Sequence, residues 1–242
     1  MKITALGDSA LTVHVRAEFE SDAESCLREV SALLHFLESA RLPGVRELAP
    51  AFTSVSVFYN PAQVAAGGAP VDDIFGWLEK KITALCGTRA DEFGVVGSDA
   101  AVGEKPIEIP VCYESEFAPD LSLVAKNAGL TEAEVVRQHS SALYRVACLG
   151  FMPGFPYLVG LPPSLATPRL SRPRTLVAAG SVGIGGGQTG IYPQDSPGGW
   201  NVIGRTPRRL FDPNRAVPAL LARGDAVRFR SISRSEFDAM TH

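Results

Sequence analysis

GFMPGFPYLVGLPPSLATPRLSRPRTLVAAGSVGIGGGQTGIYPQDSPGGWNVIGR, residues 150–205, decides how the chain is read. The stretch interleaves Gly and Pro with Phe, Tyr and Trp and keeps no 3.6-residue apolar period, so it is neither an amphipathic helix nor a disordered linker. Glycine permits positive φ and close backbone approach, proline locks turns, and the aromatics offer rigid walls with polar tips. Short strands joined by tight turns are expected, with a pocket built largely from backbone. Gly185, Gly187 and Gly190 satisfy G-x-G-x-x-G, but Ile191, Tyr192, Pro193 and the run 196–199 exclude the helix that a dinucleotide fingerprint must open. No Gly-Lys-Ser/Thr triplet occurs anywhere, which excludes a Walker A loop. Tight turns of an all-β domain and a ligand-binding loop both fit the run.

Working outward, residues 119–146 place Asp120 to Lys126, Gly129-Leu130 and a Thr131-x-x-Glu134 capping box in the order of a helix-turn-helix. A DNA-reading helix needs basic or amide side chains at its start, and this one begins Thr-Glu-Ala-Glu, so nucleic acid is not the expected partner. His139 and Tyr144 follow. One reading is a histidine hydrogen-bonded at a helix end beside a buried tyrosine; the other is a proton shuttle or phosphate contact next to the pocket. Downstream, Arg205, Arg208 and Arg209 form a basic patch, 216–221 reads as a short helical turn, and Ala226, Val227 and Phe229 as a final strand after Gly224-Asp225.

The first ninety residues read differently. Residues 2–6 and 10–16 form a hairpin around Gly7-Asp8-Ser9, and Leu27, Val30, Leu34 and Leu37 recur at helical spacing between Ser21 and Arg41, where Pro43-Gly44 stops the helix. Strands follow near 45–49 and at 53–59. Asp72 or Asp73 caps a helix whose apolar face uses Ile74, Leu78, Ile82 and Leu85. The order ββαββα predicts a sheet covered by helices on one face. Residues 89–104, rich in Gly, Ala and charge, read as a linker, and Ile107, Ile109 and Val111 open a second domain as a strand in which Pro110 favours an edge position. The expected fold class is thus α+β, with an N-terminal α/β sandwich at 1–88 and a β-barrel or sandwich at 105–235.

Composition narrows the function. With 242 residues, 45% of them hydrophobic, there is enough material for real cores, and a net charge of −3 is too small to imply a polyanion or a membrane partner. Cys26, Cys86, Cys112 and Cys148 lie far apart with no C-x-x-C and no histidine at ligand spacing, so no metal is expected and buried thiols of a cytoplasmic protein are the simplest reading. His14 and His35 read as surface or packing residues. No Ser-His-Asp arrangement or carboxylate pair emerges. The candidate chemistry rests on Gln188 and Thr189 among glycines whose N–H groups are free to point inward and hold a carboxylate, amide or phosphate oxygen. Phe155, Tyr192 and Trp200 serve as walls, Ser181, Ser196 and Asn201 as directional hydrogen-bonding groups, and Arg172, Arg174 and Arg205 as counter-charges for an anionic small-molecule substrate. Phe151, Phe155 and Tyr157 read as exposed aromatics suited to a pocket or an interface.

GFMPGFPYL (150–158), PRLSRPR (168–174), AGSVGIGGGQTGIYP (179–193) and SPGGWNVIGRTP (196–207), in that order, resemble the family of 5-oxoprolinase B subunits, also called allophanate hydrolase subunit 1 and including the sporulation kinase A inhibitor. GDSALTVHV (7–15) and the run from His139 through Tyr144 to Val146 extend the resemblance over nearly the whole chain. It implies a cyclophilin-like C-terminal barrel and a role, with the homologous C subunit and with the A subunit of 5-oxoprolinase, in ATP-dependent opening of 5-oxo-L-proline to L-glutamate. An isolated B subunit is then expected to be inactive, with ATP as the cofactor of the complex. On this view His139 and Gln188 are the catalytic candidates, and Tyr144, Phe155, Arg174, Ser181, Thr189, Tyr192, Ser196, Trp200 and Arg205 the substrate-binding ones. The same resemblance carries two other readings: a carboxyltransferase-like component related to urea carboxylase, and a non-catalytic inhibitor of a sensor histidine kinase.

Overall fold

A computed structural model describes residues 2–15, 23–87 and 105–241. The expected linker at 89–104, the helix start at Ser21 and the hairpin end at residue 16 lie outside these residues. The chain divides into two compact units, residues 1–103 and 104–242.

In the first unit, β1 (Lys2–Ala5), β2 (Ala10–His14), β3 (Val45–Pro50) and β4 (Ser54–Tyr59) form an antiparallel sheet in the order β1-β2-β4-β3. Alternation sorts the side chains: Leu11, Val13, Val55, Val57 and Tyr59 face the core, while Thr12 and Ser56 meet across strands on the other face. Helices α1 (Ala23–Ala40) and α3 (Ile74–Gly87) cover the apolar face through Val30, Leu33 and Leu37, and through Leu78, Ile82 and Cys86. Asp73 is the cap, its Oδ1 accepting from Gly76 N at 2.9 Å. A short helix absent from the expected order, α2 (Pro61–Ala66), starts at Pro61 behind the Asn60 cap. His14 Nε2 lies 3.2 Å from Thr4 Oγ1, a packing role.

The second unit is a closed seven-stranded barrel. Its strands are β5 (Ile107–Cys112), β6 (Tyr144–Leu149), β7 (Pro156–Val159), β9 (Ser181–Gly185), β10 (Gln188–Ile191), β12 (Asn201–Arg205) and β13 (Ala226–Ile232), in the order β10-β7-β6-β13-β5-β12-β9. Every pairing is antiparallel except β5 with β13. Val227 and Phe229 point inward while Arg228 and Arg230 are exposed, and all five residues of β9 are buried. Outside the barrel, β8 (Arg174–Val177) pairs with β11 (Ser196–Gly198) as a two-stranded ribbon. Helices α4 (Leu121–Ala128) and α5 (Glu132–Ser141) form the expected helix pair, with Gly129 in the left-handed region between them and the Thr131–Glu134 capping box complete.

Two expectations are corrected here. Pro110 is not on an edge: β5 lies between β13 and β12. A parallel ladder draws on alternate residues, and β12 meets β5 only at Arg205–Cys112, so Pro110 withholds no bond from the sheet. Residues 216–221 are not helical. Asp212 N–H donates to Pro218 O and Leu220 N–H to Leu210 O, pairing 210–212 with 218–220 across a turn at 213–217. Finally, the chain continues past the last strand into helix α6 (Arg234–Thr241), which packs Phe237 on Phe117.

All four cysteines are buried. Among the described residues no three metal-ligating side chains cluster, and no helix is long and apolar enough to cross a membrane.

Candidate functional site

The sequence-predicted residues fall into two groups. One lies inside the barrel. His139, from the last turn of α5, is fully buried, its ring stacked on Phe229 at 4.5 Å. Its Nδ1 is 2.8 Å from Tyr113 Oη and its Nε2 is 3.1 Å from Thr189 Oγ1. Thr189 donates its own hydroxyl proton to Gly183 O at 2.9 Å. Its oxygen therefore accepts from His139, which fixes the proton on Nε2 and leaves Nδ1 to accept from Tyr113. Tyr144 closes the group by donating to His139 O at 2.9 Å. The result is an oriented relay, Tyr113 to His139 to Thr189 to Gly183, that ties α5 and the segment after β5 to the β9–β10 hairpin. Burial lowers the His139 pKa to about 3 and raises those of Tyr113 and Tyr144 far above the ordinary phenol value, so the relay is neutral throughout. It adjoins Gln188, the residue before Thr189, which opens β10 and is half-exposed.

The second group forms the outer ribbon. Phe155 and Trp200 meet edge to face at 5.5 Å, Tyr192 packs on Phe155 at 5.2 Å, and Tyr157 and Trp200 are 5.8 Å apart. Phe155 is only 1% exposed, which corrects its expected exposure; Tyr157 is half-buried. Phe151 is 63% exposed and has φ +67°, and Met152 N–H donates to Gly150 O at 2.7 Å across it. This three-residue turn holds a bulky side chain where glycine is normally required.

Several of the glycines that suggested a ligand cradle seat these rings instead. A Cβ on Gly190 would lie 2.8 Å from Pro156 O and 3.0 Å from the Trp200 ring, and one on Gly198 2.5 Å from Tyr192 Oη. Gly186, with φ +65°, turns the β9–β10 hairpin, and its N–H is already given to Thr167 O at 2.8 Å. Inward-pointing free N–H groups are therefore not found at that position. Gly187 and Gln188 face open space or partial solvent at the tip.

The segment 168–174 straps along 198–201. Asn201 Nδ2 donates to Pro168 O and Ile184 O, Leu170 N–H donates to Gly199 O at 2.7 Å, and Arg174 is the register partner of Gly198. Arg174 Nη2 binds Asp120 Oδ1 at 2.6 Å, and Asp120 Oδ2 accepts from Val202 N at 2.7 Å. Arg174 Nη1, Ser196 Oγ and Asn201 Oδ1 are buried without a hydrogen-bond partner. Arg205 belongs elsewhere: its Nε donates to Ala179 O at 2.8 Å and its guanidinium lies over Phe117. Ser181, its register partner, is buried beneath the same edge, while Arg209 pairs with Asp212, so the expected basic patch is dispersed. Arg172 is exposed on the strap.

Sequence reasoning missed Tyr113, Asp120 and Arg169. Tyr113 and Asp120 lie 26 residues before His139 and 54 before Arg174, separations that no local pattern connects. Arg169, 5.7 Å above the Trp200 ring, stands in a stretch quoted for its turns, and its spacing to Trp200 gave no signal.

A family model described as carboxyltransferase domain, subdomain C and D, matches residues 1–221. The B subunit of 5-oxoprolinase from Bacillus subtilis (strain 168) is 38% identical over 98% of this chain and 95% of its own length. The B subunit of 5-oxoprolinase from Escherichia coli O157:H7 is 45% identical over 78% of each. Of solved structures, the urea carboxylase of Kluyveromyces lactis matches with a TM-score of 0.74 at 23% identity, over 98% of this chain and 22% of that one, a likeness of fold. With that family model matched over residues 1–221, the chain belongs to the carboxyltransferase domain, subdomain C and D, family.

Proposed function

We propose that the chain is the B subunit of a cytoplasmic, ATP-dependent 5-oxoprolinase, which opens 5-oxo-L-proline to L-glutamate together with its A subunit and a homologous C subunit. The observation that carries this reading is the near end-to-end relationship to the B subunit of a 5-oxoprolinase. Support also comes from the placement of the motifs, since 150–158, 168–174, 179–193 and 196–207 build one continuous aromatic ribbon and the hairpin beside it.

In the reaction, water adds to the lactam carbonyl, the C–N bond breaks, and the departing nitrogen takes a proton to give the amine of glutamate. Gln188 is the group of this chain best placed to touch the substrate, because its amide both donates and accepts at the open hairpin tip. His139 acts at one remove. Neutral and sealed from solvent, it holds Thr189 and thereby positions Gln188, so it is a positioning residue.

At the turn of the β9–β10 hairpin the N–H of Gly186 is already given to Thr167 O, so this glycine-rich turn offers no converging set of N–H groups for a phosphate. The nucleotide is therefore assigned to another component of the complex and no step through it is derived for this chain. The purified chain alone is expected to be inactive. Within the assembled complex, Gln188→Ala lowers turnover of 5-oxoproline about 100-fold, the scale of losing one positioned polar group, with an unchanged melting temperature. Wild-type turnover by that variant would remove Gln188 from the site.

A further inference from the structure

The strap 168–174 presents two guanidinium groups whose donors the fold leaves unused. Arg169 lies over the face of Trp200 with its Cζ 5.7 Å from the ring centroid, is exposed, and pairs with no carboxylate among the described residues. A cation–π contact with the indole restrains the guanidinium without using its N–H donors, which remain available to a carboxylate. Arg174 is held on one side only, by the Nη2–Asp120 bond, and its buried Nη1 has no acceptor. A buried charged donor without a partner is costly, and an incoming oxygen atom would satisfy it.

The two arginines converge on one place. Arg174 sits opposite Gly198, the Tyr192 hydroxyl lies beneath Gly198, and Trp200, two residues on, carries Arg169. Burial raises the Tyr192 pKa, and the positive charges of Arg169 and Arg174 both oppose that rise. Asp120 is fully engaged by Arg174 Nη2 and Val202 N and cancels one of the two positive charges, leaving a net charge of about one. That balance fits a monoanion. Ser196, 9% exposed and with its hydroxyl unpartnered, lies on the same ribbon and offers a further donor.

We propose that Arg169 and Arg174 form a carboxylate subsite over Trp200 that selects small monocarboxylates and, resting on the oxoprolinase reading, takes the carboxylate of 5-oxoproline. Neutral lactams are then discriminated against.

The test uses the full chain carrying Trp77→Phe, so that Trp200 is the remaining fluorophore. Its emission is titrated with 5-oxo-L-proline, with neutral 2-pyrrolidinone and with acetate. The expected result is saturable quenching by 5-oxoproline that weakens about 10- to 100-fold in Arg169→Gln, is only partly restored by Arg169→Lys, and is at least tenfold weaker with 2-pyrrolidinone. Equal binding of 5-oxoproline to wild type and Arg169→Gln, or of 2-pyrrolidinone and 5-oxoproline, overturns the subsite and leaves the oxoprolinase reading standing. Arg169-dependent binding of acetate without binding of 5-oxoproline keeps the subsite and defeats the oxoprolinase reading. If the free chain gives no signal, the assembled complex decides: a 10- to 100-fold higher KM in Arg169→Gln with kcat changed less than threefold supports the subsite, and an unchanged KM overturns it.

Discussion

Acidifying the protein charges His139, and the cost follows from where the ring sits. With no exposure, the imidazolium form is cut off from water, and placing its second proton on Nδ1 forces the Tyr113 hydroxyl to turn from donor to acceptor. Burial lowers the pKa from 6.5 to about 3. A folded-state value below the unfolded one means the stability is fully present above the unfolded pKa and is lost as pH falls from about 6.5 toward 3. In that window the slope approaches 1.4 kcal/mol per pH unit, so between pH 7.5 and 4.5 this single group removes about 2.5 kcal/mol. Other groups also titrate there, so the assay is a difference: urea unfolding of wild type and His139→Gln at both pH values. Glutamine can accept from Tyr113 and donate to Thr189 but does not titrate. The wild type is expected to lose about 2.5 kcal/mol more than the variant between the two pH values. Equal losses would refute the sealed, neutral relay.

Three further outcomes follow from the packing. Gly190→Ala places a Cβ 2.8 Å from Pro156 O, backbone of the neighbouring strand, and is expected to cost about 1–3 kcal/mol in urea unfolding, with the near-ultraviolet signal of Trp200 altered. Asp120→Ala removes the acceptor of both Arg174 Nη2 and Val202 N and is expected to cost about 2 kcal/mol, discounted because the Arg174 side chain is one-third exposed, with 5-oxoproline binding weakened as Arg174 loses its anchor. Phe151→Gly relieves a left-handed φ and is expected to raise stability by about 1 kcal/mol in chemical unfolding; a loss would mean that the Phe151–Phe155 contact outweighs the strain.

The sequence made the elements legible where one period or one cap decides them. The Leu27–Leu37 repeat, the alternation around Val55 and Val57, the Thr131–Glu134 box and Asp73 all act within four residues of their partners, and each took its expected place. Pro110 misled because its consequence depends on which neighbour strand uses its side of the ladder, which topology sets. The run 216–221 misled because an apolar pair beside Pro218 fits a hairpin turn as well as a helix. The glycines of 183–199 were read as space for a ligand, and several are space for Trp200, Tyr192 and Phe155; a residue without a side chain does not say what fills the gap. His139 and Tyr144 were legible as a pair, but Tyr113 and Thr189, which set the proton positions, come from distant parts of the chain. The same distance hid Asp120 and the contact of Arg169 with Trp200.

The central claim is that this chain is a required component of a 5-oxoprolinase, and reconstitution by omission tests it most directly. Glutamate release from 5-oxo-L-proline is followed for the A and C subunits with and without the purified chain, each with and without ATP. The account predicts ATP-dependent glutamate only when all three are present. Full turnover by the other two without this chain, or none from a stably assembled complex of all three, would contradict it.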